Sequence, residues 1–334
     1  MQLTATEKID ITNILLMIVS CCVAMVLPFE LFLFSYAILG PLHYLTEISW
    51  LHDKNYYTKS RYDAIILVVV GLLITVKYFD NFLEIDLPDG FDANLAYIGL
   101  LSSIIFVTVK NPYYKIGGIA VLILSSQVSH NYKVFFTVFL PTLIHVYFFT
   151  AIFMLYGALK SQSRFGIPSV IAMILCPFAL MYIFPDRAFY PPTDYSIGAY
   201  QLFKVVNMQW LMHVNDVPLQ NDMTAWDKII FHSKDGILLM RFIAFAYTYH
   251  YLNWFSKTKI IQWHNVPKVR FAAVIILWLI SVAIYINDYA SGLKWLVFLS
   301  FLHVLLEFPL NVTSVIGIGN YFKERMFKSK SAQA

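Results

Sequence analysis

Apolar stretches of about 17–23 residues recur along the whole sequence and limit what it can fold into. About 20 apolar residues cross a bilayer as a helix. Lipid offers no partner to free backbone groups, so such stretches must be helices or the strands of a closed barrel. The run AIILVVVGLLITV at 64–76 lacks the alternating polarity of a barrel strand. The pattern therefore predicts an all-α, polytopic transmembrane bundle.

The composition supports one integral membrane domain over residues 1–334. Only 13% of the residues are charged and 59% are hydrophobic, whereas soluble domains carry about 25% charged residues. The net charge of +4 comes from short loops, so it does not indicate nucleic-acid binding. We expect about ten spans. They cover residues 11–27, 30–51, 63–79, 94–109, 115–129, 134–156, 168–184, 236–256, 270–287 and 293–313.

The charges of the loops predict the direction of each span. Residues 52–62 carry three basic side chains against one Asp, whereas residues 80–93 carry five acidic side chains and no basic one. Basic loops stay in the cytoplasm, which places both termini there and suggests a multi-pass protein of a bacterial-type inner membrane. The longest loop, 185–235, then lies outside. It is predicted to hold an interfacial helix over 198–212 or to form a lid.

Four histidines lie inside predicted spans that all run from outside to inside. They fall about 10–14 residues from the outer ends of these spans, a layer about 6 Å thick at the rise of an α-helix. An ionisable side chain in the hydrocarbon is costly and marks a functional site. The sequence therefore predicts that imidazoles converge on a metal ion. The proposed ligands are His43, His145, His250 and His303.

Two carboxylates accompany these histidines. Glu47 follows His43 by four residues, and Glu307 follows His303 by the same distance. This spacing places both side chains of a pair on one face of a helix. Glu47 and Glu307 are predicted to ligate the metal, to orient its ligands or to move protons, and they are the candidate catalytic residues.

The ligand type limits the cofactor to a divalent transition metal. Imidazole with carboxylate suits iron, zinc, copper or manganese, and the lack of thiolates argues against an iron–sulfur cluster. Iron is favoured because oxygen dissolved in the bilayer would reach it for oxidation of a lipid-soluble substrate. The sequence leaves open whether one ion or two are bound.

The segment Gly40-Pro41-Leu42-His43, followed by Glu47, resembles the early signature of the Brp/Blh family of membrane β-carotene 15,15'-dioxygenases. The resemblance implies a polytopic protein that holds non-haem iron through intramembrane histidines, and it implies a carotenoid substrate. His145, His250 and His303 would be the other ligands. The chain departs from the family at Tyr44, where the family has Gly, and it lacks the family's closely spaced late histidine pair.

These observations predict a metal-dependent membrane oxidoreductase or oxygenase that acts on a lipid or an isoprenoid, with membrane lipids as its other partners. The same buried layer would also serve a proton- or ion-coupled transporter, since transporters use intramembrane His and Glu as relays. A haem-binding electron carrier with paired axial histidines is a third interpretation. Purely structural polar packing between helices is a fourth.

Overall fold

The computed structural model describes residues 3–127, 133–183, 185 and 188–331, and every regular element among them is a helix. Among the described residues, thirteen helices of seven or more residues are numbered here in chain order. They are α1 Ala5–Val26, α2 Pro28–Asp53, α3 Asp63–Tyr78, α4 Phe91–Thr108, α5 Pro112–Ser126, α6 Phe135–Ser161, α7 Gly166–Tyr182, α8 Asp194–Tyr200, α9 Lys204–Val214, α10 Met223–His232, α11 Lys234–Ser256, α12 Lys268–Asn287 and α13 Tyr289–Ser331, with the single-turn helices Asp80–Leu83 and Thr258–Ile261 beside them.

Six of these helices are long and apolar enough to cross a membrane: α1, α2, α4, α6, α12 and α13. The all-α prediction is thus confirmed for the described residues, and the six helices indicate a membrane protein. Each of the ten predicted spans overlaps one helix, although 115–129 and 168–184 end outside the described residues. The number of spans and their direction stay predictions.

Helix α11 lies at the centre of the bundle. It packs against α1, α2, α6, α7, α9 and α10, and every residue from 239 to 251 is buried. A helix buried on all sides does not need a lipid-facing surface. This position explains how α11 carries the buried polar residues Arg241, Thr248, His250 and Asn253 and why it is not among the six most apolar long helices.

Two helices contain π-helical segments close to the predicted site. Residues 35–39 of α2 are π-helical and lead directly into Gly40 and Pro41, and residues 135–149 of α6 are π-helical around Pro141. Proline removes a backbone donor from the helical ladder, and π-turns often occur at functional sites. These segments change the direction in which nearby side chains leave the helix, among them His43, which follows the first segment, and His145, which lies within the second.

The segment 185–235 forms helices rather than an open loop. It contains α8, α9 and α10, with a 3-10 turn at Gln201–Phe203; residues 186 and 187 lie outside the described residues. The buried Arg241 of α11 donates from Nε to the Met25 carbonyl at 3.2 Å and from a terminal nitrogen to the Pro185 carbonyl at 2.5 Å. This guanidinium therefore ties the start of the segment to the end of α1.

Replacing Gly236 with Ala is expected to destabilise the bundle. A Cβ at this position would overlap the carbonyl oxygens of Ile229 and Ile230, where α10 turns into α11. Overpacking of this kind costs about 1–3 kcal/mol, so the thermal unfolding midpoint in detergent should fall. Gly157→Ala is the control, since no atom lies within 4 Å of a Cβ there. An unchanged midpoint for Gly236→Ala would contradict the close packing of α10 on α11.

Candidate metal centre

Four helices bring the four predicted histidines into one buried group. The ring centroids of neighbouring imidazoles are 4.7 Å apart for His43 and His250, 4.9 Å for His250 and His145, 5.1 Å for His145 and His303, and 5.6 Å for His303 and His43. All four side chains are buried. The imidazoles therefore close a ring around a common centre, with one contributed by each of α2, α6, α11 and α13.

The four helices run in the same direction through this histidine ring. Residues that precede the histidines in all four helices line one cavity, here called the upper cavity. Residues that follow the histidines in all four helices line a second one, here called the lower cavity. On α13, for example, Ser300 lines the upper cavity and Leu310 lines the lower one. The histidine ring therefore separates two cavities.

Thr150 fixes the protonation of His250. Its hydroxyl donates to the Val146 carbonyl at 2.9 Å, and its oxygen lies 2.8 Å from His250 Nδ1. A hydroxyl has one proton to donate. With that proton directed to the Val146 carbonyl, Thr150 accepts a hydrogen bond from Nδ1–H of His250. The Nε2 atom of His250 therefore carries a lone pair, and this atom faces the centre of the histidine ring.

A backbone carbonyl orients His303 in a similar way. Nδ1 of His303 lies 3.3 Å from the carbonyl oxygen of Leu299, which can only accept. The Tyr44 ring stacks on the imidazole with centroids 4.1 Å apart. His303 is thus held between a hydrogen bond and an aromatic face, and its Nε2 is left free to act as a ligand. Such outer partners set the tautomer of metal-binding histidines.

The close contact between His43 and His250 requires a cation or a proton between the two rings. Their two Nε2 atoms are 3.1 Å apart, and that of His250 already presents a lone pair. Two facing lone pairs repel one another, so either a proton on His43 or a metal ion must lie between them. His43 Nδ1 has no hydrogen-bond partner although it is buried.

Three of the histidines meet the distance requirement for one metal ion. Ligand atoms of His43, His250 and His303 lie within 4.8 Å of one another. Two nitrogens bound to one tetrahedral ion at the usual bond length stand about 3.4 Å apart. The 3.1 Å pair is close to that separation, and small side-chain movements would bring in the third nitrogen. The group of His43, His250 and His303 could therefore hold a metal ion.

His145 and the two predicted carboxylates lie beside this group of three. His145 Nδ1 is 3.4 Å from an oxygen of Glu307, and His43 Nε2 is 3.1 Å from an oxygen of Glu47. Neither contact has hydrogen-bond geometry, and both His145 nitrogens and both of these oxygens are buried without a hydrogen-bond partner. Buried polar atoms rarely stay unpaired. The donor set therefore fits a cation that these residues would share.

Several supporting residues could not be found from the spacing of the histidines. Thr150 lies five residues after His145, so only the packed structure shows that it contacts His250 instead. Gly40 gives space to the hydroxyls of Tyr44 and Tyr251, which pair at 2.9 Å; a Cβ on Gly40 would lie 3.1 Å from one and 3.3 Å from the other. A Gly before Pro in an apolar helix was the available signal.

No family model, curated protein or solved structure matches the chain. The resemblance to the Brp/Blh family accordingly stays a prediction. The functional assignment depends on the geometry of the histidine ring and its two cavities.

Replacing Thr150 with Val should weaken metal binding without removing a ligand. Valine keeps the shape but leaves Nδ1–H of His250 unpaired, and losing such an outer partner typically lowers metal affinity about 10–100-fold. Titration of the purified protein with Zn²⁺ and with Fe²⁺ would measure the change. Thr150→Ser keeps the hydroxyl and should bind nearly as the unaltered protein does. Equal affinities for the Val and Ser variants would contradict the role of this hydrogen bond.

Proposed function

We propose that this chain is a ten-span membrane protein with cytoplasmic termini, and that it is a metal-dependent oxidoreductase or oxygenase acting on a lipophilic substrate. The observation that carries the proposal is the convergence of three buried imidazoles, those of His43, His250 and His303. In His250 and His303, a hydrogen bond to Nδ1 leaves Nε2 free to bind a metal. His145, Glu47 and Glu307 would complete the site. The ion would be a divalent transition metal, with iron favoured over zinc, copper and manganese.

The upper cavity supports a lipophilic substrate. It has a volume of about 180 Å³, and its walls include the aromatic rings of Phe32, Tyr36 and Tyr247, while His145 and His303 form its floor. Ligand sites are mostly apolar with a few polar groups at the point of reaction. An apolar molecule that enters this cavity would meet the histidine ring.

The metal ion and the surrounding residues would have different roles in such a site. A bound redox-active ion would supply electron transfer and Lewis-acid chemistry. Thr150 and the Leu299 carbonyl would orient His250 and His303, and Tyr44 would keep water from one face of His303. Glu47 and Glu307 line the lower cavity and would hold or move protons on the side opposite the substrate.

The ligand atoms favour iron among the candidate ions. Nitrogen and carboxylate oxygen from His and Glu are the donors of non-haem iron sites with open positions. Cys21 and Cys176, both buried, contact one another through a sulfur and a carbonyl 3.7 Å apart, and neither lines the two cavities. Thiolate ligation of the same ion is therefore not part of the proposal.

The resemblance to the Brp/Blh family would make the substrate a carotenoid or a related isoprenoid. It agrees with a histidine-lined site inside apolar helices and with the apolar upper cavity. The topology has separate support. Tyr78, next to the acidic loop 80–93, lines the upper cavity, so the upper cavity and the acidic loop lie on one side, which the positive-inside rule assigns to the outside.

A proton- or ion-coupled transporter is the second candidate, and the two cavities on opposite sides of the histidine ring favour it. Alternating access requires a site that can be reached from either side, and the upper and lower cavities together provide this. The haem alternative fits poorly, since the 3.1 Å between His43 and His250 leaves no room for a porphyrin between axial ligands.

Metal analysis of the purified protein tests the proposed function. After gentle extraction, we expect about one equivalent of iron per chain, with zinc, copper and manganese measured in the same samples. His43→Ala, His250→Ala and His303→Ala should each lose the metal. His264→Ala is the matched control, because this exposed histidine lies in the loop after α11. Substoichiometric amounts of all four metals in the unaltered protein would count against a metalloenzyme.

Glu307→Gln separates the enzyme from the transporter. The amide keeps the size of the side chain but cannot carry a charge or hold a proton as a carboxylate does. In a metalloenzyme, the variant should still retain most of the metal through the three histidines. If the protein is a transporter, the Glu307→Gln variant should lose ion flux into proteoliposomes. The unaltered protein should then transport ions without bound metal. Flux by metal-free protein would decide for the transporter.

A further inference from the structure

The shape of the upper cavity limits the form of its ligand. On α13 it is lined by Leu293, Val297, Ser300 and Val304, one face of the helix, down to His303. Ten residues of helix from Leu293 to His303 correspond to about 15 Å. An apolar cavity of about 150 Å³ holds a single benzene ring. A volume of about 180 Å³ spread over that length is therefore a narrow channel.

The opposite wall follows the same axis. On α11 the cavity is lined by Ile243, Tyr247 and Tyr251. Their spacing of four residues places them on one face of the helix, and this face extends along the helix axis to the histidine ring. Both walls are parallel to the helices. The channel therefore runs along the helix axes instead of across the bundle.

Four of the hydroxyl groups that line the channel are paired with one another. Tyr36 and Ser300 are 3.2 Å apart, and Tyr44 and Tyr251 are 2.9 Å apart. Paired hydroxyls do not require a polar ligand, so the channel presents mainly ring faces and methyl groups. A hydrocarbon fits these walls better than a polar molecule.

Two exposed residues suggest where the channel opens. Leu202 and Tyr78, both more than 40% exposed, line the channel, and we place its entrance beside them. At the other end lie His145 and His303, and the lower cavity beyond them is a separate space. A ligand that enters from Leu202 must stop at the histidine ring.

We propose that the upper cavity binds one extended hydrocarbon chain, saturated or polyene, inserted end-on so that its last carbons lie beside His145 and His303. The reaction assigned to this site rests on the proposed function, whereas the binding of the chain does not. A metal at the histidine ring would then act near the end of the chain, and the depth of the channel would select the reacting carbon. The 15 Å length corresponds to about 12 carbons of an extended chain at roughly 1.3 Å per carbon. Because about 150 Å³ holds the six carbons of benzene, the volume of about 180 Å³ encloses only about seven carbons, and the rest of a 12-carbon chain would lie in the opening near Leu202.

Photoreactive fatty alcohols test this binding mode in the full-length protein in phosphatidylcholine nanodiscs. A 12-carbon alcohol with a diazirine at its chain end should label residues near Ser300 and Val304. An 8-carbon analogue should label about one helical turn higher, near Val297. A 12-carbon isomer with the diazirine beside the hydroxyl should label the entrance, near Leu202. Equal labelling of the exposed Trp295 and Val315 by all three probes would overturn the proposal.

A matched pair of substitutions on α13 strengthens the test. Val297→Trp fills the channel and should lower chain-end labelling near Ser300 at least tenfold. Val315→Trp makes the same change at a position that is 50% exposed and should leave the labelling unchanged. Unchanged labelling in a folded Val297→Trp protein would refute the channel, and the probe positions in the unaltered protein decide the matter if this variant does not fold.

The same samples separate this inference from the proposed function. Labelling needs neither metal nor turnover, so it is measured with chelator-treated and with Fe²⁺-treated protein. If a protein that binds no metal is labelled near Ser300 by the chain end, the channel is supported and the proposed metalloenzyme function is refuted. If the protein binds a stoichiometric amount of metal but is not labelled near Ser300, the metal centre is supported and the channel is refuted.

Discussion

The burial of four imidazoles and two carboxylates in the middle of an apolar bundle is the constraint on which the rest of the structure depends. Unpaired polar groups in such surroundings are expensive, and the bundle satisfies only some of them. Thr150 and the Leu299 carbonyl pair with His250 and His303, whereas His145, Glu47 and Glu307 keep unpaired atoms. A polar layer held this way costs stability, and ligand binding is the natural reason to maintain it.

The position of α11 follows from this constraint. Because the helix contacts protein on all sides, its polar residues face other helices instead of lipid, and His250 meets three partner helices at once. The more apolar helices α1 and α12 remain at the periphery, where many of their side chains are exposed. The bundle thus places its least apolar long helix where lipid cannot reach it, and the histidine ring lies against that helix.

The sequence predicted the shared depth of the histidines because the rise of a helix is regular and depth follows from residue number. It also predicted the pairing of Glu47 with His43, since that contact lies within one helix. It could not predict that Glu307 approaches His145 instead of His303, because this depends on how α6 and α13 are rotated. The π-helical stretch around Pro141 changes that rotation, and no periodicity in the sequence reveals it. Thr150 was missed for the same reason.

The order of the ligands along the chain has a consequence for biogenesis. His43 lies on α2, early in the order of the described helices, whereas His303 lies on α13, the last helix described. Until α13 is in place, the earlier imidazoles have no complete ring, and the wall of the channel formed by Leu293 and Val297 is missing. A metal ion that needs the complete histidine ring would therefore bind only after α13 is in place, which would protect the half-assembled protein from capturing an ion in the wrong geometry.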